Sequence, residues 1–118
     1  MRTTTATAVG LLLLTAGLTA CSGSGSTTPS HTDAEVICES FVKKQLKSPG
    51  SAKFPGVTDA DYAKTKTISN AKPWKFAVTG VVDSQNGFGA LVRSDYTCTV
   101  STKNRTSWHL DDMDMHQR

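Results

Sequence analysis

Between Thr32 and Leu46, apolar residues recur every three or four positions, which is the spacing of one helix face. They are Ala34, Ile37, Cys38, Phe41, Val42 and Leu46. Thr32-Asp-Ala-Glu35 has the spacing of a capping box, with Thr32 as the cap and Glu35 reaching back to it. Ser48-Pro49-Gly50 then supplies residues that end helices. We therefore predict an amphipathic helix that begins near Thr32 and ends before Ser48.

From Trp74 onward the pattern changes to alternation, as in strands that bury one face. The apolar series are Trp74, Phe76, Val78, Gly80 and Val82, then Ala90, Val92, Ser94, Tyr96, Cys98 and Val100, and finally Trp108 and Leu110. Short turn-rich connections at 84–89 and 102–105 join these strands into an antiparallel meander. Residues 52–57 and 62–68 are weaker strand candidates, since Pro55 restricts the first to an edge or an irregular strand.

These elements predict an α+β domain, with one N-terminal amphipathic helix packed on a small antiparallel sheet of three to five strands. Cys38 lies on the apolar stripe of the helix, and Cys98 lies on the strand face that carries Tyr96 and Val100. Packing the helix on that face brings the two thiols together, so we predict a Cys38–Cys98 disulfide. Two buried free thiols are the alternative.

Residues 1–20 have the layout of a secretory signal, with Arg2 followed by an apolar centre from Ala8 to Leu14 and then small residues. The apolar stretch is shorter than the ~20 residues that a membrane span needs. Leu18-Thr19-Ala20-Cys21 resembles the lipobox of bacterial lipoproteins. The resemblance implies cleavage before Cys21 and lipid attachment to its thiol. An ordinary signal peptide with an incidental cysteine is the alternative.

The chain is thus expected to comprise a lipoprotein signal peptide at 1–20, the lipidated Cys21 with a flexible tether at 21–31, and one small domain at 32–118. The tether is rich in Gly, Ser and Thr, a composition typical of flexible coils. This organisation predicts a protein held by lipid on the extracytoplasmic face of a bacterial cell membrane.

Two further stretches resemble a group of small secreted or lipid-anchored proteins of actinobacteria and their phages. The first is Cys38-Glu-Ser-Phe-Val-Lys-Lys-Gln-Leu-Lys-Ser-Pro-Gly-Ser-Ala-Lys-Phe-Pro55. The second is Gln85-Asn-Gly-Phe-Gly-Ala90, followed by Arg93 and Tyr96-Thr-Cys98. The resemblance implies an exported α+β module with a cysteine pair, and it brings with it neither an activity nor a catalytic residue.

Charge disfavours nucleic acid as a partner, because 13 basic and 10 acidic residues give a net charge of only +3. Eight lysines nevertheless lie between Lys43 and Lys75, where Asp59 and Asp61 are the only acids. Such a basic belt suits anionic lipid headgroups or wall polymers. A solvated face that keeps the protein soluble is the alternative.

The sequence contains no recognisable catalytic motif for hydrolysis or nucleotide binding. His31 falls in the tether, His109 at a solvent-facing strand position and His116 in the C-terminal tail, so we predict no enzyme, no catalytic residue and no cofactor. One weaker hypothesis is a copper site, since Met113, Met115 and His116 are ligands that suit Cu(I). A frayed polar tail is the alternative for these residues.

Asn86 and Phe88 are candidate partner contacts, because they lie in a turn-rich loop at Ser84–Gly89. Phe88 either fills the core beneath that loop or stands exposed as an aromatic anchor. Our leading hypothesis is a lipid-anchored binding module for an envelope protein or wall polymer. The alternatives are a prophage-type surface protein that excludes a second phage, and a copper-binding envelope lipoprotein.

Overall fold

The computed structural model describes residues 28–118, so the predicted signal peptide, Cys21 and the first part of the tether lie outside the described residues. It confirms the predicted fold class, with one α-helix and a four-stranded antiparallel sheet of strand order β1-β2-β3-β4. The elements are α1 (His31–Gln45), a short 3₁₀ turn (Pro49–Ser51), β1 (Lys64–Ser69), β2 (Trp74–Gln85), β3 (Leu91–Thr102) and β4 (Trp108–Gln117).

The helix cap differs from the predicted one. Ser30 is the N-cap: its hydroxyl accepts a hydrogen bond from the Asp33 N–H at 3.1 Å, and the Asp33 carboxylate accepts one from the Ser30 N–H at 2.8 Å. This reciprocal pair is the capping box, displaced two residues toward the N-terminus from the Thr32 and Glu35 pair. The Ser30 N–H, assisted by Arg105, lowers the pKa of the Asp33 carboxyl.

Glu35 does not serve as a cap because tertiary contacts engage it elsewhere. Its carboxylate is buried and accepts hydrogen bonds from the Tyr62 hydroxyl at 2.6 Å and the Thr65 hydroxyl at 2.8 Å. Thr65 belongs to β1 and Tyr62 to the loop before it. Glu35 therefore joins the helix to an edge strand, and its two donors satisfy a carboxylate that is removed from water.

The two weaker strand candidates have different outcomes. Residues 62–68 largely form β1, whereas 52–57 form no strand. The latter segment makes a single bridge, in which the Lys53 N–H donates to the Asp83 carbonyl and the Asp83 N–H donates to the Lys53 carbonyl, at 2.8 and 2.9 Å. Pro55 lies two residues further on and has no N–H for a continued ladder. The segment therefore only extends the edge of β2.

The C-terminal tail is ordered, so the frayed tail that was the alternative to a copper site is wrong. Residues up to Gln117 continue β4 and pair with β3 in an antiparallel ladder. The register shifts between Thr99 and Val100, so that Asp111 is the extra residue of a β-bulge. Main-chain hydrogen bonds to β3, a central strand, hold the tail. The sequence of the tail does not indicate this pairing.

The core lies between α1 and the sheet face that the alternation predicted. Its buried members are Ala34, Cys38, Val42, Trp74, Phe76, Val78, Val82, Tyr96, Cys98 and Val100. The predicted disulfide is confirmed: Cys38 and Cys98 are bonded, with their Cα atoms 5.9 Å apart. This bond ties the middle of the helix to β3, so both the core and the covalent link fix how α1 lies on the sheet.

Candidate functional site

The β2–β3 hairpin closes in a short ordered loop, and we call residues Gln85–Leu91 the hairpin tip. Asn86 organises it: its N–H donates to the Ala90 carbonyl at 2.9 Å, while its carbonyl accepts from the Gly89 N–H at 3.0 Å. The side-chain oxygen of Asn86 also accepts from the N–H groups of Phe88 and Ala90, at 2.9 and 3.0 Å. Gly89 has φ +80°, a conformation that favours glycine. These bonds hold the loop in one shape.

Phe88 is 98% exposed at this tip, so the interpretation that it fills the core is wrong. Leu91, at the start of β3, is 64% exposed. Single exposed apolar residues are common on protein surfaces. A whole phenyl ring in water, on a loop held by four hydrogen bonds, is a less ordinary arrangement and resembles the aromatic anchors of binding surfaces. The hairpin tip is therefore our candidate functional site.

The hairpin tip lies at the opposite end of the domain from the start of α1. At that start, the His31 ring lies 5.8 Å from the ring of Phe76, near the beginning of β2. At the other end, the Ser51 hydroxyl accepts a hydrogen bond from the Gln85 N–H at 2.8 Å. The helix therefore runs along β2, whose 12 residues span about 40 Å. Because α1 begins after Ser30, Phe88 lies at the end of the domain opposite to the point where the predicted tether joins it.

The lysines of the predicted basic belt are divided between separate parts of the surface. Lys43, Lys44 and Lys47 are exposed around the C-terminal end of α1, and we call them the lysine corner, whereas Lys53 is bridged to Asp83 and lies on the sheet face of that carboxylate. Ser51 stands between Lys47 and Lys53 in the chain. Its hydroxyl donates a hydrogen bond to the Ser48 carbonyl at 2.7 Å and accepts one from the N–H of Gln85, the first residue of the hairpin tip. The lysine corner and the hairpin tip therefore occupy the same end of the domain.

None of the three corner lysines lies within 4.0 Å of a carboxylate in residues 28–118, where Lys75 with Asp111 is the one lysine ion pair. Two of the corner side chains instead lie over aromatic rings: the Lys43 Nζ is 5.7 Å from the centre of Phe54, and the Lys44 Nζ is 5.2 Å from that of Phe41. In the described residues neither ammonium group is held by a carboxylate within 4.0 Å, and Lys43 has a longer-range electrostatic interaction with Glu39.

The carboxylates near the same end are engaged on the other face of the sheet. Arg93 binds both oxygens of Asp83, at 2.8 and 2.9 Å, and one oxygen of Asp61 at 2.9 Å. The Arg93 guanidinium lowers the pKa of the Asp83 carboxyl. Arg118 binds Asp95 through two nitrogens, at 2.8 and 2.9 Å, and lowers the pKa of that carboxyl. These arginine pairs partly neutralise the acids that would otherwise offset the lysine corner.

The structure does not support the copper hypothesis, because the three proposed ligands do not lie close together on one side of the strand. Met113 and Met115 pair with Cys98 and Tyr96 of β3 and pack against the core on the helix side. His116 is on the opposite side of the strand and is exposed, with its ring 3.0 Å from Asp114. Strand alternation separates the thioethers from the imidazole. Within the described residues, no three His, Cys, Asp or Glu side chains are grouped to hold a metal.

The remaining histidines have structural or solvent-exposed positions. His31 is the first residue of α1 rather than part of the tether, and its Nε2 lies 2.8 Å from the Thr67 hydroxyl. His109 is exposed on β4, as predicted.

A shallow cavity of about 330 Å³ lies at the other end of the sheet, lined by Pro73, Trp108 and His109 and by the β3–β4 loop. Most of its polar groups already bond within the protein. The Thr102 hydroxyl donates to the Ser107 carbonyl at 2.6 Å, and the Asn104 side-chain oxygen accepts from the Ser107 N–H at 2.8 Å. Because these bonds shape the turn itself, the cavity is a weaker candidate than the hairpin tip.

Comparison with known proteins leaves the site to be interpreted from its own geometry, since no family model, curated protein or solved structure matches the chain. In the described range, no helix has the length and apolar character needed to cross a membrane.

Sequence reasoning identified Asn86 and Phe88 but missed the lysine corner as a separate cluster. The signal for it was the i, i+1, i+4 spacing of Lys43, Lys44 and Lys47 at a helix end.

Proposed function

We propose that this protein is an extracytoplasmic lipoprotein, anchored in a bacterial membrane through Cys21, whose domain is a binding module. The module binds its target through the hairpin tip, and no step of catalysis is assigned to it. One observation carries this proposal, namely the fully exposed Phe88 on a hydrogen-bonded loop far from the start of α1. The lipobox-like Leu18-Thr19-Ala20-Cys21 supports the anchor.

The disulfide-linked core supports a module that holds its shape outside the cytoplasm. Disulfides persist in oxidising extracytoplasmic compartments and are rare in reducing ones. The domain is small, and the bond between Cys38 and Cys98 adds stability that its limited core does not supply. A rigid scaffold reduces the conformational entropy that a target-binding loop loses when it binds. Such a scaffold is what a binding loop requires.

The anchor is tested by the intact mass of the protein extracted from bacterial membranes. We expect a chain that starts at Cys21 and carries acyl groups, and a Cys21→Ser variant that lacks them and is released from the membrane fraction. An unacylated wild-type chain would remove the anchor from the proposal.

The binding surface is tested by placing a photoreactive phenylalanine analogue at position 88 in the full chain in cells. The matched control carries the analogue at Thr97, which is exposed in the middle of the polar face of β3. We expect irradiation to give a covalent adduct of defined mass from position 88 and far less from position 97. Equal adducts from both positions, or none from position 88, would contradict the assignment of the hairpin tip.

A further inference from the structure

We infer that the target of the hairpin tip is an anionic lipid bilayer, the same membrane that holds the Cys21 lipid. Phe88 enters the headgroup region, and the lysine corner contacts the anionic headgroups around it. This inference rests on the proposed function and names the class of its target. It is carried by the presence of two unlike features at one end of the domain: the exposed ring of Phe88, and lysines that form no ion pair within 4.0 Å in the described residues.

The apolar feature is suited to an interface between water and lipid. Phe88 projects from a loop that has no covering element, and Leu91 follows it on the same hairpin tip. Aromatic and leucine side chains are the residues that peripheral proteins insert at the boundary of headgroups and acyl chains. Insertion removes the Phe88 side chain from water, and the hydrogen-bonded loop does not need to rearrange.

The charged feature distinguishes a lipid surface from a single phosphate ligand. The lysine corner contains no arginine, the side chain that grips one phosphate with a planar fork. Lysines spread over an end of a domain act instead as point charges toward a surface of many anions. Glu39, one helical turn before Lys43, is the nearest acid on the helix; burial raises the pKa of its carboxyl, and the charge of Lys43 opposes that shift. The arginine pairs on the opposite sheet face engage the other acids nearby.

The length of the tether sets the orientation of the docked domain. Nine residues, 22–30, separate Cys21 from α1, and they span at most about 32 Å when fully extended. The domain itself is about 40 Å long along β2. An upright domain would hold the hairpin tip away from its own membrane. Docking therefore places the long axis of the domain along the bilayer, with the lysine corner facing the headgroups.

The experiment uses the acylated full-length product reconstituted into vesicles, with Phe88→Trp as a depth probe and brominated lipids as quenchers. Wild-type protein supplies the background emission of Trp74 and Trp108. We expect the added emission to shift to the blue and to be quenched in phosphatidylglycerol vesicles, and to remain unquenched in phosphatidylcholine vesicles. Soluble polyphosphate is added separately as an anionic polymer that has no apolar phase.

Two lysine variants with equal charge test the role of the corner. K43Q/K44Q/K47Q removes the corner, and K64Q/K66Q/K72Q removes three other exposed lysines that make no ion pair in the described residues. Because each lysine near an anionic surface contributes to binding, we expect the first variant to reduce the ratio of docked to undocked protein by roughly tenfold or more. The second variant is expected to reduce it far less.

The outcomes separate this inference from the proposed function. If the Phe88→Trp protein binds vesicles but its added emission is unquenched in phosphatidylglycerol, the lipid target is overturned and the anchored module stays in place. A response to polyphosphate without quenching by brominated lipid would assign the site to a polymer and overturn the inference as well. Equal losses in the two lysine variants would contradict the lysine corner. Protein that lacks acyl groups and does not bind vesicles would instead contradict the anchor.

Discussion

Gly80 of β2 lies directly opposite Tyr96 of β3, and a Cβ atom on Gly80 would stand 2.6 Å from the Tyr96 hydroxyl oxygen and 2.7 Å from the ring carbon that bears it. The Tyr96 ring thus lies across the glycine backbone, where it is buried and packs edge-on against Phe54 at 6.2 Å. Glycine within a strand often marks such a close approach. The packing of the Tyr96 ring therefore requires that residue 80 have no side chain.

Gly80→Ala should destabilise the domain, because the new methyl group must displace a buried ring or the strand beside it. Overpacking of this kind costs about 1–3 kcal/mol. Urea unfolding followed by circular dichroism measures the loss. Gly50→Ala is the control, since nothing lies within 4 Å of a Cβ there. If both variants had the stability of the wild type, the close contact between Gly80 and Tyr96 would be wrong.

Removal of the disulfide should reduce stability by a larger amount. Cys38 and Cys98 are 60 residues apart. In the chain-entropy model, a cross-link over a loop of that length lowers the entropy of the unfolded chain and adds about 4 kcal/mol to the free energy of unfolding. We expect reduction to lower the urea midpoint of the wild type. The double variant Cys38→Ala/Cys98→Ala should have a low midpoint that does not respond to the reductant. A wild-type midpoint that is insensitive to complete reduction would contradict the expected contribution.

Glu35→Ala should loosen the attachment of β1 to the helix. The substitution leaves the Tyr62 and Thr65 hydroxyls without the carboxylate that both now bond. Because hydrogen bonds to charged groups contribute about 1.5–3 kcal/mol each, we expect a loss of at least about 2 kcal/mol. Native-state hydrogen exchange should also show faster exchange in residues 64–69. Glu39→Gln, one turn further along α1, makes a control with little loss, since burial already disfavours the charged form of that carboxyl.

Stability should decline on the acid side of neutrality through three aspartates. Arginine or main-chain donors lower the folded-state pKa of Asp33, Asp83 and Asp95 below its usual value. A depressed pKa adds stability that is complete above the unfolded-state pKa, near 4. That stability is lost as the pH falls through the lower folded-state pKa.

The variant Asp83→Asn tests this pH dependence. It should be less stable at pH 7 and should lose less stability than the wild type on acidification. Asp112→Asn, at an exposed residue that makes no ion pair in the described part, is the matched control. Thermal unfolding measured across the acid range gives both slopes. Parallel curves for Asp83→Asn and the wild type would rule out a stabilising role for the pair with Arg93.

Phe88→Ala should leave stability unchanged, within about 0.5 kcal/mol, because an exposed ring makes no contribution to the core. Phe76→Ala provides the contrast, since that ring is buried between α1 and the sheet and its removal should cost about 3–5 kcal/mol. Differential scanning calorimetry on both variants measures the two effects. A substantial loss in Phe88→Ala would mean that the ring packs against the protein in solution.

Element types and buried faces were predictable from local periodicity. The apolar stripe of α1 and the alternation in β2 and β3 each report which side of an element avoids water, and that information is written in neighbouring residues. The same patterns placed Cys38 and Cys98 on facing surfaces, and the disulfide followed. Candidate contacts at Asn86 and Phe88 came from turn chemistry, which is also local.

Other features depended on partners that are distant in the chain. The spacing predicted Thr32 as the cap, whereas the structure uses Ser30, and Glu35 instead bonds Tyr62 and Thr65. Pairing with β3 ordered the tail and separated Met115 from His116.

By itself, the sequence determined the helix, strands β2 and β3, the cysteine pair and the lipobox-like segment, because short-range spacing encodes them. Only the tertiary structure decided that Phe88 faces solvent and that one part of the lysine belt lies at the hairpin tip. A hydrophobic residue in a loop is compatible with either burial or exposure. What distinguishes the two is whether another element packs over the loop, and no local pattern contains that information.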